Sequence, residues 1–122
     1  MGEMMNTVTK IKDDDQMLKD HVLHIVKTIE ESEWGQSFDD ENEAGTAFDY
    51  LQDVLDINWI LNSDKTYKGA RLLVAFGGPN IWIDTNLEQV EGYWWGSKFI
   101  AQYNHTDGAI ELDNTLEELY GC

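Results

Sequence analysis

Between Thr28 and Asp64 the chain places eleven carboxylates and no lysine or arginine: Glu30, Glu31, Glu33, Asp39, Asp40, Glu41, Glu43, Asp49, Asp53, Asp56 and Asp64. Carboxylates this dense can do three kinds of chemistry. They can ligate a hard cation, work as a general acid and base, or present oxygens to a cationic surface as phosphates do. Metal ligation has weak support, because Asp39-Asp40-Glu41-Asn42-Glu43 lacks the central glycine and distal glutamate of a calcium loop. Paired carboxylates for glycoside hydrolysis need a fixed separation inside a cleft, which a surface helix and loop do not supply. The third use has the right scale. Helical carboxylates three or four residues apart lie about 5–6 Å from one another, and each DNA strand carries a phosphate about every 3.4 Å.

The other reactive side chains form no catalytic constellation. His21 and His24 are one helical turn apart, but no HExxH pattern surrounds them, so they are expected to flank a buried helical stripe. His105 falls in a polar loop. Ser32, Ser37, Ser63 and Ser97 lack the elbow or neighbouring base that activates a serine. Gly77-Gly78-Pro79 is followed by Ile81-Trp82-Ile83, whereas a phosphate loop must open a helix and carry Lys-Ser/Thr. A tight hairpin needing positive φ is the better account. Cys122 is the only cysteine, which excludes a disulfide framework and a thiolate metal cluster. No catalytic residue, metal site or cofactor is expected.

The charge balance narrows the partners. Against 24 acidic residues stand 8 basic ones, a formal charge of −16 over 122 residues, well past the roughly 2–8 that suffices for solubility. Direct binding to nucleic acid or to an anionic membrane is therefore not expected, and a basic protein is the natural complement. The basic residues are segregated, with Lys10, Lys12, Lys19 and Lys27 in the first segment and Lys65, Lys68 and Arg71 near one hairpin. The N-terminus has no apolar signal core and no run approaches 18 apolar residues, so the expected location is the cytoplasm.

These side chains must be positioned by a single α+β domain over residues 1–122. Residues 1–12 are polar without periodicity and are expected to be disordered. Asp13-Asp14-Asp15 supplies a helix start, and Leu18, Val22, Ile25 and Ile29, widened by Met17 and Val26, predict a helix over about 14–31. Residues 32–43 read as a loop held by Trp34 and Phe38. Ala44, Ala47, Phe48, Leu51, Val54 and Leu55 fall on one arc of a second helix, which sets Asp49, Asp53 and Asp56 in a row on its opposite face. After Asp56 the period becomes two. Ile57–Leu61, Ala70–Phe76, Ile81–Ile83, Gln89–Trp95 and an edge-like Lys98–Tyr103 predict a four- to five-stranded antiparallel meander. Ile110, Leu112, Leu116 and Leu119 predict a short C-terminal helix stopped by Gly121. Two N-terminal helices, a meander and a closing helix place helices on one sheet face.

The aromatic set Trp82, Tyr93, Trp94 and Trp95 supplies apolar contact. If the strand runs on through it, Trp94 and Trp95 point to opposite faces, one of them toward solvent or a loop. An exposed ring beside acid makes a good interface anchor, although core filling is the alternative. Over LLVAFGGPNIWIDTNLEQVEGYWW (Leu72 to Trp95) and LEELYGC (Leu116 to Cys122) the chain resembles uncharacterised small acidic proteins of bacterial phages and conjugative elements. The resemblance covers roughly the last two thirds and carries over no functional residues. It implies a setting in which small acidic proteins serve as anti-CRISPR and antirestriction inhibitors that imitate DNA.

Together these readings predict a non-enzymatic inhibitor of a basic nucleic-acid-binding surface on a bacterial defence nuclease, such as a CRISPR effector. Asp39, Asp40, Glu41, Glu43, Asp49, Asp53 and Asp56 would stand in for phosphates, with Trp94 or Trp95 as anchor. Two alternatives stay open: an immunity protein against a toxin nuclease, and a mobile-element interaction domain whose acidity serves solubility. Dimerisation through the aromatic face is also left open.

Overall fold

The computed structural model describes the backbone of residues 2–35 and 45–121, with side chains from Asp15 onward. Helix α1 spans Gly2–Glu30, and its backbone continues upstream of the Asp13–Asp15 start that the sequence suggested. Leu18, Val22, Ile25, Val26 and Ile29 are its buried stripe, whereas Met17 is exposed rather than part of it. The helix ends in a Schellman motif. Ser32 takes φ +56, the Glu33 amide bonds the Thr28 carbonyl at 2.9 Å, and the Ser32 amide bonds that of Ile29 at 3.3 Å.

A single long helix thus forms most of the N-terminal helical layer, where two were expected. The segment read as a second full helix supplies only α2, the six residues Ala47–Gln52. Its apolar stripe is long enough for three turns, but pairing with the sheet ends it early. Asp53 is already the C-cap, and the Leu55 amide donates to the Leu73 carbonyl at 2.8 Å as the first rung into the sheet.

Five strands follow in a meander: β1 (Asp56–Leu61), β2 (Tyr67–Ala75), β3 (Asn80–Asp84), β4 (Gln89–Trp94) and β5 (Ser97–Gln102). Each pairs antiparallel with the next, giving the order β1-β2-β3-β4-β5. Helix α3 (Asp107–Gly121) closes the fold. It is tied to the end of α1, because the Thr106 hydroxyl donates to the Glu30 carbonyl (2.8 Å) and the Asn104 amide to Glu30 Oε2 (2.6 Å).

Helix α1 packs over β4 and β5, and α3 over β2, around a core that includes Ile29, Leu72, Ile81, Ile83, Val90, Leu112 and Leu116. The approach of α1 explains one glycine. A Cβ at Gly92 would lie 2.6 Å from Val22 Cγ2 and 2.8 Å from Leu18 Cδ1, so helix and strand meet without a side chain between them. Irregular pairing between Ile60 and Leu61 sets Tyr67 opposite Leu61. From there its hydroxyl donates to Asp113 Oδ1 of α3 at 2.6 Å, and Tyr120 packs at a tilt against Trp59 with ring centroids 5.3 Å apart.

Candidate functional site

The described residues hold only part of the predicted acidic band. Asp39, Asp40, Glu41 and Glu43 lie outside the described residues, as do Phe38 and Cys122. The described residues on either side of the first four meet, since the Gly45 amide donates to the Gly35 carbonyl at 2.7 Å beside the buried Trp34. Asp49, Asp53 and Asp56 were expected in a row on a helix face. The structure instead places them on α2, at its C-cap and at the start of β1.

Four carboxylates of the band serve local structure. Asp49 completes a capping box, accepting from the Thr46 amide (2.9 Å) and hydroxyl (3.0 Å). Glu30 holds the loop before α3, and Glu31 lies 3.8 Å from Lys27. Asp64 accepts from both the amide and the hydroxyl of Thr66, which hold its carboxyl below the usual range. Asp53 and Asp56 are exposed, and they flank Leu55 where the chain enters the sheet.

That entry point belongs to a surface that charge patterning alone did not reveal. Because the sheet is a meander, β2 and β4 end where β3, β5 and β1 begin. Leu55, the β2–β3 loop Phe76-Gly77-Gly78-Pro79 and the β4–β5 turn Trp95-Gly96 therefore share one end of the sheet. Trp95 is 88% exposed, Phe76 72% and Leu55 60%, the three most exposed large apolar side chains among the described residues. Asn80, Tyr93, Trp95, Gly96 and the exposed Lys98 line a shallow depression of about 540 Å³ between the two loops.

Trp94 and Trp95 do not alternate across the sheet as expected. Trp94 is the last residue of β4, half-buried and paired with Ser97. Trp95 has left the strand. With φ +51, followed by Gly96 at φ +80, it forms the two-residue turn of a type I′ hairpin. Asn-Gly is the favoured pair there. A bulky side chain in the left-handed region costs about 1 kcal/mol, and this ring recovers little of that by packing.

The sheet face away from the helices carries a charge network centred on Arg71. Its guanidinium lies 2.7 Å from Glu91 Oε2 and 3.3 Å from Asp84 Oδ2, and 5.1 Å from the Trp82 ring centroid. Hydrogen bonding to Glu91 raises the Arg71 pKa despite partial burial. Burial pushes the Glu91 carboxyl up, but hydrogen bonds from Arg71, Gln89 and Tyr93 outweigh it and leave the group below its ordinary value. The network is self-satisfied, a structural staple more than a reactive centre.

At the opposite end of the sheet, Lys68, Glu88, Tyr103, His105 and Asp113 surround a small polar pocket of about 170 Å³. His105 Nδ1 lies 2.6 Å from Glu88 Oε2. Burial, reinforced by the charges of Glu88, Asp113 and Asp84, pushes the Tyr103 hydroxyl well above its usual pKa. His21 and His24 are both exposed on α1. Among the described residues no group of three or more His, Cys, Asp or Glu side chains is placed to hold a metal ion, and no helix is long and apolar enough to cross a membrane.

No protein-family model, curated protein or solved structure matches the chain. The sequence signal for the sheet end was nonetheless present. FGGPN and YWWGS contain no Asp, Glu, Lys or Arg in a chain with 26% charged residues.

Proposed function

We propose that this chain is a non-enzymatic inhibitor that docks on the basic, nucleic-acid-binding surface of a bacterial defence nuclease, with a CRISPR effector as the first candidate. The observation that carries the reading is the charge of −16. Such an excess opposes compaction of the free chain and favours a strongly cationic partner, whose encounter it accelerates. Asp53 and Asp56 provide exposed carboxylates beside an apolar surface, and Asp39, Asp40, Glu41 and Glu43 would add to them. Asp49 contributes through the α2 cap. The mechanism would be displacement of target DNA or guide RNA. An immunity protein acting on a toxin nuclease would use the same charges, and genomic neighbours distinguish the two.

The test is a pull-down from bacterial lysate at low and high salt, followed by competition with duplex DNA. Docking through carboxylates predicts a retained basic protein that high salt releases and duplex DNA displaces. Charge reversal at Asp53 and Asp56 should weaken retention about tenfold or more. Salt-insensitive retention, or retention unchanged by the reversal, sinks the phosphate-mimicry reading.

A further inference from the structure

We propose that Leu55, Phe76 and Trp95 form a hydrophobic anchor that enters an apolar pocket on a basic protein, with lysines or arginines at the pocket rim facing Asp53 and Asp56. This rests on the docking reading above and names how the partner is recognised.

Single exposed apolar side chains are ordinary on protein surfaces. Here the three most exposed ones among the described residues share one end of the sheet. From the start of β1 to the turn after β4 is three strand spacings, roughly 14 Å, the breadth of a compact interface core. The flanking loops FGGPN and YWWGS carry no charge. Charge depletion with aromatic enrichment marks the centre of protein interfaces, where Trp is over-represented among the residues that dominate affinity.

Backbone geometry adds an independent reason. Trp95 holds φ +51 at a turn where asparagine or glycine fits without strain, and its ring stands in solvent. The position is thus unfavourable for folding on two counts, which a binding role explains and a packing role does not.

Charge decides the occupant. In an isologous pair of this chain, two bodies of −16 would meet and each Asp53-Leu55-Asp56 segment would lie at the same self-repelling interface. A basic protein meets those carboxylates favourably. It presents cations around an apolar pocket, as nucleic-acid-binding proteins do where aromatic or apolar contacts accompany phosphate contacts.

The test uses the full chain with W95N, F76S and D53K/D56K variants. Each is titrated against an immobilised CRISPR effector and a restriction endonuclease, with lysozyme as a merely basic control. The expected result is that W95N raises the melting temperature by about 3 °C yet weakens nuclease binding about 100-fold. F76S should weaken it about tenfold, and lysozyme binding should not distinguish W95N or F76S from the native chain. Nuclease binding by W95N within twofold of native overturns the anchor, as does a lowered melting temperature. A native dimer that W95N disperses would assign the patch to a second copy and overturn it too. If W95N abolishes binding while D53K/D56K does not, the apolar contact stands, but the cationic rim facing Asp53 and Asp56 falls together with phosphate mimicry. If the native chain binds neither nuclease, both fall.

Discussion

Arg71 on β2 reaches across β3 to Glu91 on β4, closing to 2.7 Å over the ring of Trp82. The pairing skips a strand, so it ties three strands together on the sheet face that the helices leave bare. Asp84 and Glu91 are 5% and 6% exposed at the side chain, and Arg71 is 34% exposed. The carboxylates therefore depend on one guanidinium for most of their compensation.

Replacing Arg71 by alanine should leave two largely buried carboxylates unpaired. A fully buried pair broken this way costs about 3–5 kcal/mol; the partial exposure of Arg71 brings the expectation to about 2 kcal/mol. For a chain of this size that is a fall in melting temperature of roughly 8 °C. Arg71→Lys should lose less, because the charge remains while the fork that bonds both Glu91 oxygens does not. Calorimetry on the two variants checks the order.

Glu91 sets a pH dependence. Its carboxyl is lower in the folded chain than its ordinary value of 4.5, so the folded state favours the ionised form. The resulting stability is complete above that value and is lost as the pH falls from 4.5 through the folded pKa. Urea midpoints for the native chain and Glu91→Gln should differ most near pH 6 and converge below pH 4.5. A gap that stays constant across this range would show that the pair is not what titrates.

Gly92→Ala should destabilise without touching the exposed sheet end. The new methyl would meet Val22 and Leu18, both fully or almost fully buried and unable to retreat into solvent. Overpacking of this kind costs about 1–3 kcal/mol. Denaturant unfolding should register the loss with an unchanged slope.

Much of the sheet could be read from the sequence, because its period-two pattern and its turn residues agree with the strand pairing. Ile57 and Trp59 pair with the buried Leu72 and Ala70 as the alternation places them, although Trp59 and Leu61 remain exposed, and Gly77 at φ +95 sits where the Gly-Gly-Pro punctuation placed a hairpin. The second helix misled because local periodicity was overridden by pairing. The stripe through Val54 and Leu55 fits a helix, but a rung to Leu73 draws Leu55 into the sheet. Trp95 misled for the opposite reason. A turn is normally announced by residues suited to positive φ, and only Gly96 announced this one. The Arg71–Glu91 pair could not be read at all, since it depends on a register spanning three strands.

Asp49 separates carboxylates that hold the fold from those available for docking. Its side chain is committed to the Thr46 amide and hydroxyl, whereas Asp53 and Asp56, both exposed, flank Leu55 at the sheet end. Asp49→Ala should therefore unfold more easily by about 1 kcal/mol, the usual worth of an N-terminal cap. The salt dependence of partner binding should stay unchanged, because that carboxylate is held by the Thr46 amide and hydroxyl rather than offered at the sheet end. Asp53→Asn with Asp56→Asn should do the reverse, leaving the melting temperature within about 2 °C and flattening the slope of affinity against salt. Thermal melts and binding isotherms at three ionic strengths read both effects. If Asp49→Ala flattened the salt slope as much as the double substitution, the capping carboxylate would have to be counted among the docking charges and the division between the two groups abandoned.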